Sequence, residues 1–341
     1  MIMKRREFLA AAAAGAGTVA LAAPAVAQET FRWRMANLYP RGVSFGIAYE
    51  AFTKKVEAMT GGRLVIENVY DGEGVGATEV FSAVKSGLVE MGSPYMALHA
   101  GELPAGVVEL GLPGGPERFD QIYTMISKGG WGEILKETYG SQGMVHIGDI
   151  MQPGVYLLTK KPINSLADLA GMKLRAPGAY GSHMRELGVA PVTMAFAEVY
   201  TSLATGVIDG CASSNLVDYR DGKWYEQAKY LYPLPLSGAQ TSPIIVNKAA
   251  WDTLPADLQA ALLTAQVDHC WEHVGLSIMT VGEAVEEMKA GGAEFTAAPS
   301  EEDRQKWREA AEKVWQEYAA ADPASKRLVE AQGSFLAKIG A

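Results

Sequence analysis

With 341 residues, 48% of them hydrophobic and only 20% charged, the chain can bury a large core and exceeds the usual size of one domain, so two lobes are expected. Thirty Lys and Arg stand against thirty-nine Asp and Glu, a net charge of −9. No dense basic block follows the first residues, which argues against a nucleic-acid partner.

The N-terminal "MKRREFLAAAAAGAGTVALAAPAVAQ" has a basic start, an Ala-rich stretch and the small-x-small Ala25-Val26-Ala27, so residues 1–27 read as an export signal cleaved near Ala27. Arg5-Arg6 followed by Glu7, Phe8 and Leu9 matches the twin-arginine pattern. No later run reaches the apolar length of a spanning helix, and the expected product is a soluble periplasmic protein.

From residue 31 the pattern alternates between strand-like and helix-like segments. "FRWRMAN" has period two. "SFGIAYEAFTKKVEAMTGG" places Phe45, Ala48, Phe52, Val56 and Met59 at helical steps, with Ser44 as expected N-cap and Gly61-Gly62 as terminator. "RLVIENVY", "TEVFSAVKSG" and "LVEMGSP" continue as strand, helix and strand. After a Pro/Gly-rich loop at 112–119 and two helical stretches, "GMVHIGDI" and "GVYLLTKK" read as two consecutive strands. A second series follows: "GMKLRAP" strand, "SHMRELG" helix, "APVTMA" strand, "FAEVYTSLATG" helix and "VIDGCA" strand. The repeated rhythm suggests two similar lobes, crossed once near 145–160 and again by "TSPIIVNK" at 241–248. Pro255 to Gly291 reads as one very long helix with Ile278, Val281, Val285 and Met288 on a stripe. A short strand "AEFTA" and two helices complete the chain, the first capped by Ser300 with Asp303 in the place of the box acid.

Enzyme signals are thin. "YDGEGVGA" departs from the spacing of nucleotide loops and lacks the P-loop lysine, so it reads as a tight turn. His269 and His273 lie at i, i+4 around Cys270, but no third ligand stands at a recognised spacing, and no metal or other cofactor is expected. An oxidising compartment permits a disulfide between Cys211 and Cys270, while two distant cysteines also read as small buried side chains. Arg175 stands apart. A strand that ends in Arg and breaks at Pro177-Gly178 delivers a guanidinium to the carboxyl edge of a parallel sheet, where α/β proteins bind ligands, and its planar fork matches a carboxylate. The bland alternative is a surface charge at a strand end.

The segments "GGRLVIENVYDGEGVGATEVFSAVKSGLVEMG", "SLADLAGMKLRAPGAYGSHMRELGVAPVTMAFAEVYTSLATGVIDG" and "VNKAAWDTLPADLQ" resemble the solute-binding subunit of tripartite ATP-independent periplasmic (TRAP) transporters, over about residues 31–320. The resemblance implies an α/β, two-lobed periplasmic binding protein fold of type II-like form, hinge-linked, with a long helix spanning both lobes. On this chain the expected division is 28–152 with 238–255 as lobe I, 153–237 as lobe II, and 256–341 as the spanning helix and C-terminal helices. It also implies that Arg175 pairs with the substrate carboxylate. A further arginine that some members carry on the strand here read as "QPGVYLL" has Gly154 or a neighbour in its place, so a second anionic clamp is not expected. A metal-using branch for 2-oxo acids has a Glu-Trp pair where this chain has Ala212-Ser213.

The remaining pocket candidates are strand ends facing one cleft: Asn37, Tyr39, Tyr95, Gln152, Ser213 and Asn215. The expected function is capture of a small monocarboxylate, of hydroxy, oxo or aromatic character, and its delivery to integral-membrane subunits, with no reaction catalysed. The alternatives are a twin-arginine-exported redox enzyme and the ligand-binding subunit of a sensor.

Overall fold

The computed structural model describes residues 29–340, so the export signal expected over 1–27 lies outside the described residues. The chain begins with β1 (Phe31–Asn37), α1 (Ser44–Met59), β2 (Leu64–Val69), α2 (Val80–Ser86) and β3 (Met91–Ser93). Helices α3 (Pro104–Leu110), α4 (Phe119–Lys128) and α5 (Trp131–Ser141) then lead into the long strand β4 (Met144–Thr159). The second series is β5 (Lys173–Arg175), α6 (Gly178–Glu186), β6 (Ala190–Val192), α7 (Val199–Thr205), β7 (Gly210–Ser214) and α8 (Leu216–Asp221). The chain closes with β8 (Tyr230–Asn247), α9 (Lys248–Thr253), α10 (Ala256–Ala290), β9 (Glu294–Phe295), α11 (Glu301–Ala321) and α12 (Pro323–Ile339).

One sheet runs through both lobes in the order β2-β1-β3-β8-β4-β7-β5-β6, with β9 beside β8. β1 is parallel to β2 and β3, and β5 is parallel to β6 and β7. β8 and β4 are antiparallel to each other and join the two parallel halves. The period-two pattern of β1 buries Trp33 and Met35 and exposes Arg32 and Arg34, and the strand then becomes buried on both faces where helices cover the sheet.

The two strands expected near 145–160 are a single sixteen-residue strand. Pro153 and Gly154 do not break it, because Pro153 lies opposite Ala239 and Gly154 meets the backbone of Ser237 and Gly238 so closely that a Cβ would come within 2.6 Å of the Ser237 carbonyl. The strain of length is absorbed by register shifts between His146 and Gly148 and between Val155 and Leu157.

Helix α10 is thirty-five residues long and packs on α1, β4 and α8, so it spans both lobes. Its buried face in the second half is Ser277, Thr280, Ala284 and Met288. Ile278, expected on that stripe, is 63% exposed, because the small residues one position away let the helix approach the sheet closely. Ser44 is the first residue of α1 rather than its cap, and its N–H donates to a carboxylate oxygen of Asp221 at 2.7 Å. Arg220 Nη2 donates to Ser44 Oγ at 2.8 Å, so the start of α1 is tied to the end of α8 in the other half. Ser300 caps α11 as expected, with its Oγ accepting the Asp303 N–H at 3.1 Å. Cys211 and Cys270 are both buried and unbridged.

His269 and His273 face inward from α10, stacked against Phe52 and Phe45 at ring-centre distances of 5.0 and 4.7 Å. Among the described residues their ring nitrogens have no hydrogen-bond partner, and burial pushes their pKa values down to about 4 and about 3. A group whose folded pKa lies below its unfolded value near 6.5 gives stability that is intact above that value and is lost as the pH falls through it. Each site therefore costs about 1.4 kcal/mol per pH unit over that window. His273→Phe is expected to gain about 2 kcal/mol relative to the parent protein between pH 7.5 and pH 5, read as the difference in unfolding free energy at the two pH values. An identical difference at both would rule out a neutral buried imidazole at this position.

Candidate functional site

The carboxyl ends of β1 and β3 meet the carboxyl ends of β5 and β7 across the middle of the sheet, and a narrow cavity lies between them. Leu38, Tyr39, Ala77, Tyr95 and Leu98 line it from one side. Arg175, Phe196, Ser213, Ser214 and Asp218 line it from the other, and Gln152 and Gln240 lie between, directly opposite one another on β4 and β8.

Arg175 ends the three-residue strand β5 and is only 3% exposed. Its Nε donates to the Met194 carbonyl at 3.1 Å, and its Nη1 donates to Ser213 Oγ at 2.8 Å and Ser214 Oγ at 3.2 Å. The guanidinium carbon lies 5.9 Å from the ring centres of both Tyr95 and Trp224. Among the described residues it forms no ion pair, and its Nη2 makes no hydrogen bond. The surface-charge alternative therefore fails on burial alone.

Two aromatic residues bring the first half of the chain onto this cation. Tyr95 donates its hydroxyl to the Ser213 carbonyl at 2.9 Å, and Tyr39 donates to Gln152 Oε1 at 3.1 Å. Burial raises the pKa of both phenols, so they remain hydrogen-bond donors. Among the described residues Gln152 keeps a buried Nε2 without a partner, and Gln240 a buried Oε1.

Two of the expected pocket residues are elsewhere. Asn37 is fully buried and donates to Asn68 Oδ1 at 2.8 Å, which ties β1 to β2. Asn215 caps α8, its Oδ1 accepting the N–H groups of Val217 and Asp218, each at 3.0 Å. Neither lines the cavity, because the alternation of β1 and the turn after β7 direct both toward the backbone of their own halves.

Asp218 is the lining residue that the sequence concealed. In "NLVD" it reads as an acid of a helix cap, and Asn215 Nδ2 does donate to its Oδ2 at 3.0 Å. The available signal was its place one helical turn after a strand that ends beside Arg175. Burial raises its pKa to about 7, the nearby Asp221 charge adds to this, and Arg175 opposes it. The expected lining of neutral groups is thus corrected to one cation, one acid and several neutral amides and hydroxyls.

The profile described as bacterial extracellular solute-binding protein, family 7 (DctP), matches residues 35–322. The chain belongs to this family. A monocarboxylate 2-oxoacid-binding periplasmic protein of Nostoc is 30% identical to this solute-binding protein, over 99% of the present chain and 95% of its own length. A TRAP periplasmic solute-binding protein of Pseudoalteromonas atlantica, solved with sodium and pyruvate, superposes with a TM-score of 0.84 at 26% identity and covers 92% of this chain and 95% of its own. One from Bordetella bronchiseptica, with calcium and picolinate, gives 0.83 at 25% identity and covers 92% and 93%. The solute-binding protein is a TRAP receptor with the two-lobed fold and not an enzyme, so the redox-enzyme alternative falls away. Among the described residues, no helix is long and apolar enough to cross a membrane.

Proposed function

We propose that this receptor captures a small organic monocarboxylate in the periplasm and delivers it to the integral-membrane subunits of a TRAP transporter. The observation that carries the reading is a buried arginine at the wall of a cavity between the two halves, with one guanidinium nitrogen free of hydrogen-bond partners among the described residues. The relatives with 2-oxo acids, pyruvate and picolinate support it, since each of those ligands has one carboxylate.

In this reading the lobes are 28–152 with 238–255 and 153–237, and they hinge where β4 and β8 pass between them. Residues 256–341 hold α10 across both. The Tyr95–Ser213 and Ser44–Asp221 hydrogen bonds are the contacts of a closed state that a bound ligand would favour.

The cation seen in two neighbours does not suit these residues. Ala212 has no donor, the Ser213 hydroxyl is occupied by Arg175, and Asp218 is the one carboxylate in the lining. Ligand affinity is expected to be unchanged after exhaustive chelation. Calorimetry on a panel of organic acids tests both points: monocarboxylates should bind more tightly than dicarboxylates of similar size, because a second carboxylate would be buried without a cation. A dicarboxylate as the tightest ligand, or a tenfold loss on chelation, would overturn the reading.

A further inference from the structure

Away from the cleft, two acids and an imidazole meet in the core, Glu109 from α3 and His146 and Asp149 from β4, all at least nine-tenths buried. None of them lines the cavity beside Arg175. In a regular strand His146 and Asp149 would face opposite sides of the sheet, and the register shift between His146 and Gly148 brings them together. Sequence spacing alone does not reveal the group.

His146 Nε2 lies 3.1 Å from Glu109 Oε1 and 3.3 Å from Asp149 Oδ2, so one N–H faces two carboxylates, at distances longer than the 2.7–2.9 Å usual for a charge-assisted bond. Asp149 Oδ1 has no hydrogen-bond partner among the described residues. A proton on His146 balances one of the two carboxylates in the metal-free protein, whereas a divalent ion beside a neutral imidazole balances both, which a dry core favours. The spacing suits an ion. Zinc bonded at about 2.0–2.2 Å in a tetrahedral arrangement holds its ligand atoms about 3.3–3.6 Å apart, and here one ligand atom from each residue lies within 4.8 Å of the others.

The surroundings already fix these ligands. Tyr139 donates its hydroxyl to Glu109 Oε2, which orients the carboxylate and leaves Oε1 toward His146. Gln266 Nε2 donates to the Asp149 carbonyl at 2.8 Å and holds the bulge from α10.

We propose that Glu109, His146 and Asp149 form a structural site for a small divalent ion of the zinc class, which pins α3 to β4. One nitrogen and two carboxylate oxygens are a zinc-type ligand set. The inference is independent of the carboxylate reading of Arg175. Because the site is buried, the ion enters as the chain folds and does not exchange with a chelator in the native protein.

The test unfolds the purified whole chain in guanidinium with a chelator, refolds it with or without zinc, and counts the metal left after passage through chelator-containing buffer. About one zinc ion per chain is expected to stay, with a higher unfolding midpoint than in the zinc-free sample. Asp149→Asn and Glu109→Gln should each retain less than about a tenth of that, and His273→Phe should retain the parent amount. A native far-UV spectrum checks that each variant has folded. Refolding the parent protein with cobalt gives a readout that needs no variant: the strong visible absorption of a four- or five-coordinate ion is expected.

Parent protein that refolds with zinc yet keeps less than about a tenth of an ion per chain would overturn the site. So would undiminished retention by Asp149→Asn, release of zinc to the chelator without unfolding, or cobalt showing only the weak colour of its hydrated ion.

Discussion

Arg175→Ala is expected to abolish detectable binding of the best organic acid, and Arg175→Lys to weaken it at least tenfold. The guanidinium is already positioned by the Met194 carbonyl and the Ser213 and Ser214 hydroxyls, so binding does not have to order it. Lysine keeps the charge but cannot satisfy those three acceptors and a carboxylate from one planar fork. Truncating one member of a desolvated charge pair costs about 2–5 kcal/mol, whereas an exposed charge contributes about 0–1 kcal/mol. Near-parent affinity in the lysine variant would falsify the guanidinium–carboxylate clamp.

The second large effect is remote from the cavity. Glu109 on α3 and His146 and Asp149 on β4 form a cluster buried in the core, with His146 Nε2 3.1 Å from Glu109 Oε1 and 3.3 Å from Asp149 Oδ2. Tyr139 stacks on the imidazole at 5.3 Å and donates its hydroxyl to Glu109. The register shift at Gly148, whose φ is 143°, places His146 and Asp149 together. The two carboxylates, despite the opposing effect of burial, raise the pKa of His146 to about 10, and burial followed by Asp149 raises that of Glu109 to about 8. Both folded values exceed the unfolded ones. The stability tied to His146 is therefore complete below about pH 6.5 and is lost toward pH 10, and that tied to Glu109 is lost between about pH 4.5 and 8. His146→Gln removes the buried cation that faces Glu109 and Asp149, a loss of about 3–5 kcal/mol at pH 7 in denaturant unfolding. It should also flatten the decline of stability from pH 7 to pH 10. A variant within 1 kcal/mol of the parent protein would show that the cluster is held together without a charged imidazole.

Much of this was legible in the sequence because it depends on local patterns. The strand–helix alternation fixes two parallel series, the strand-ending arginine before Pro177-Gly178 places its charge at a sheet edge, and Gly61 and Gly62 take the left-handed conformations that stop α1. Other features depend on contacts between segments far apart. Pro153 with Gly154 reads as a break between two strands, yet β4 runs through it in unbroken register, Pro153 opposite Ala239 and Val155 opposite Ser237, and the register shifts only beyond it, between Val155 and Leu157, where β8 carries Pro233 and Pro235. Asn37, Tyr39 and Asn215 are equally plausible as strand-end ligands, and only the partner strand decides which turns inward. Ser44 carries the composition of a helix cap, but the carboxylate that satisfies its N–H comes from a residue in the opposite lobe.

The position of β8 between β3 and β4 bears on the order in which the molecule can be assembled. Strands β5, β6 and β7 can pair with one another and with β4 once the chain has reached Ser214. The three strands made first cannot be completed so early. The inner edge of β3 finds its partner only when Ile245 and Val246 arrive, opposite Gly92 and Met91. Until then an apolar strand edge stands open, the kind of surface that invites pairing with another chain. The oldest part of the protein is thus among the last to be sealed, and a chain truncated before residue 245 would leave the inner edge of β3 without its partner.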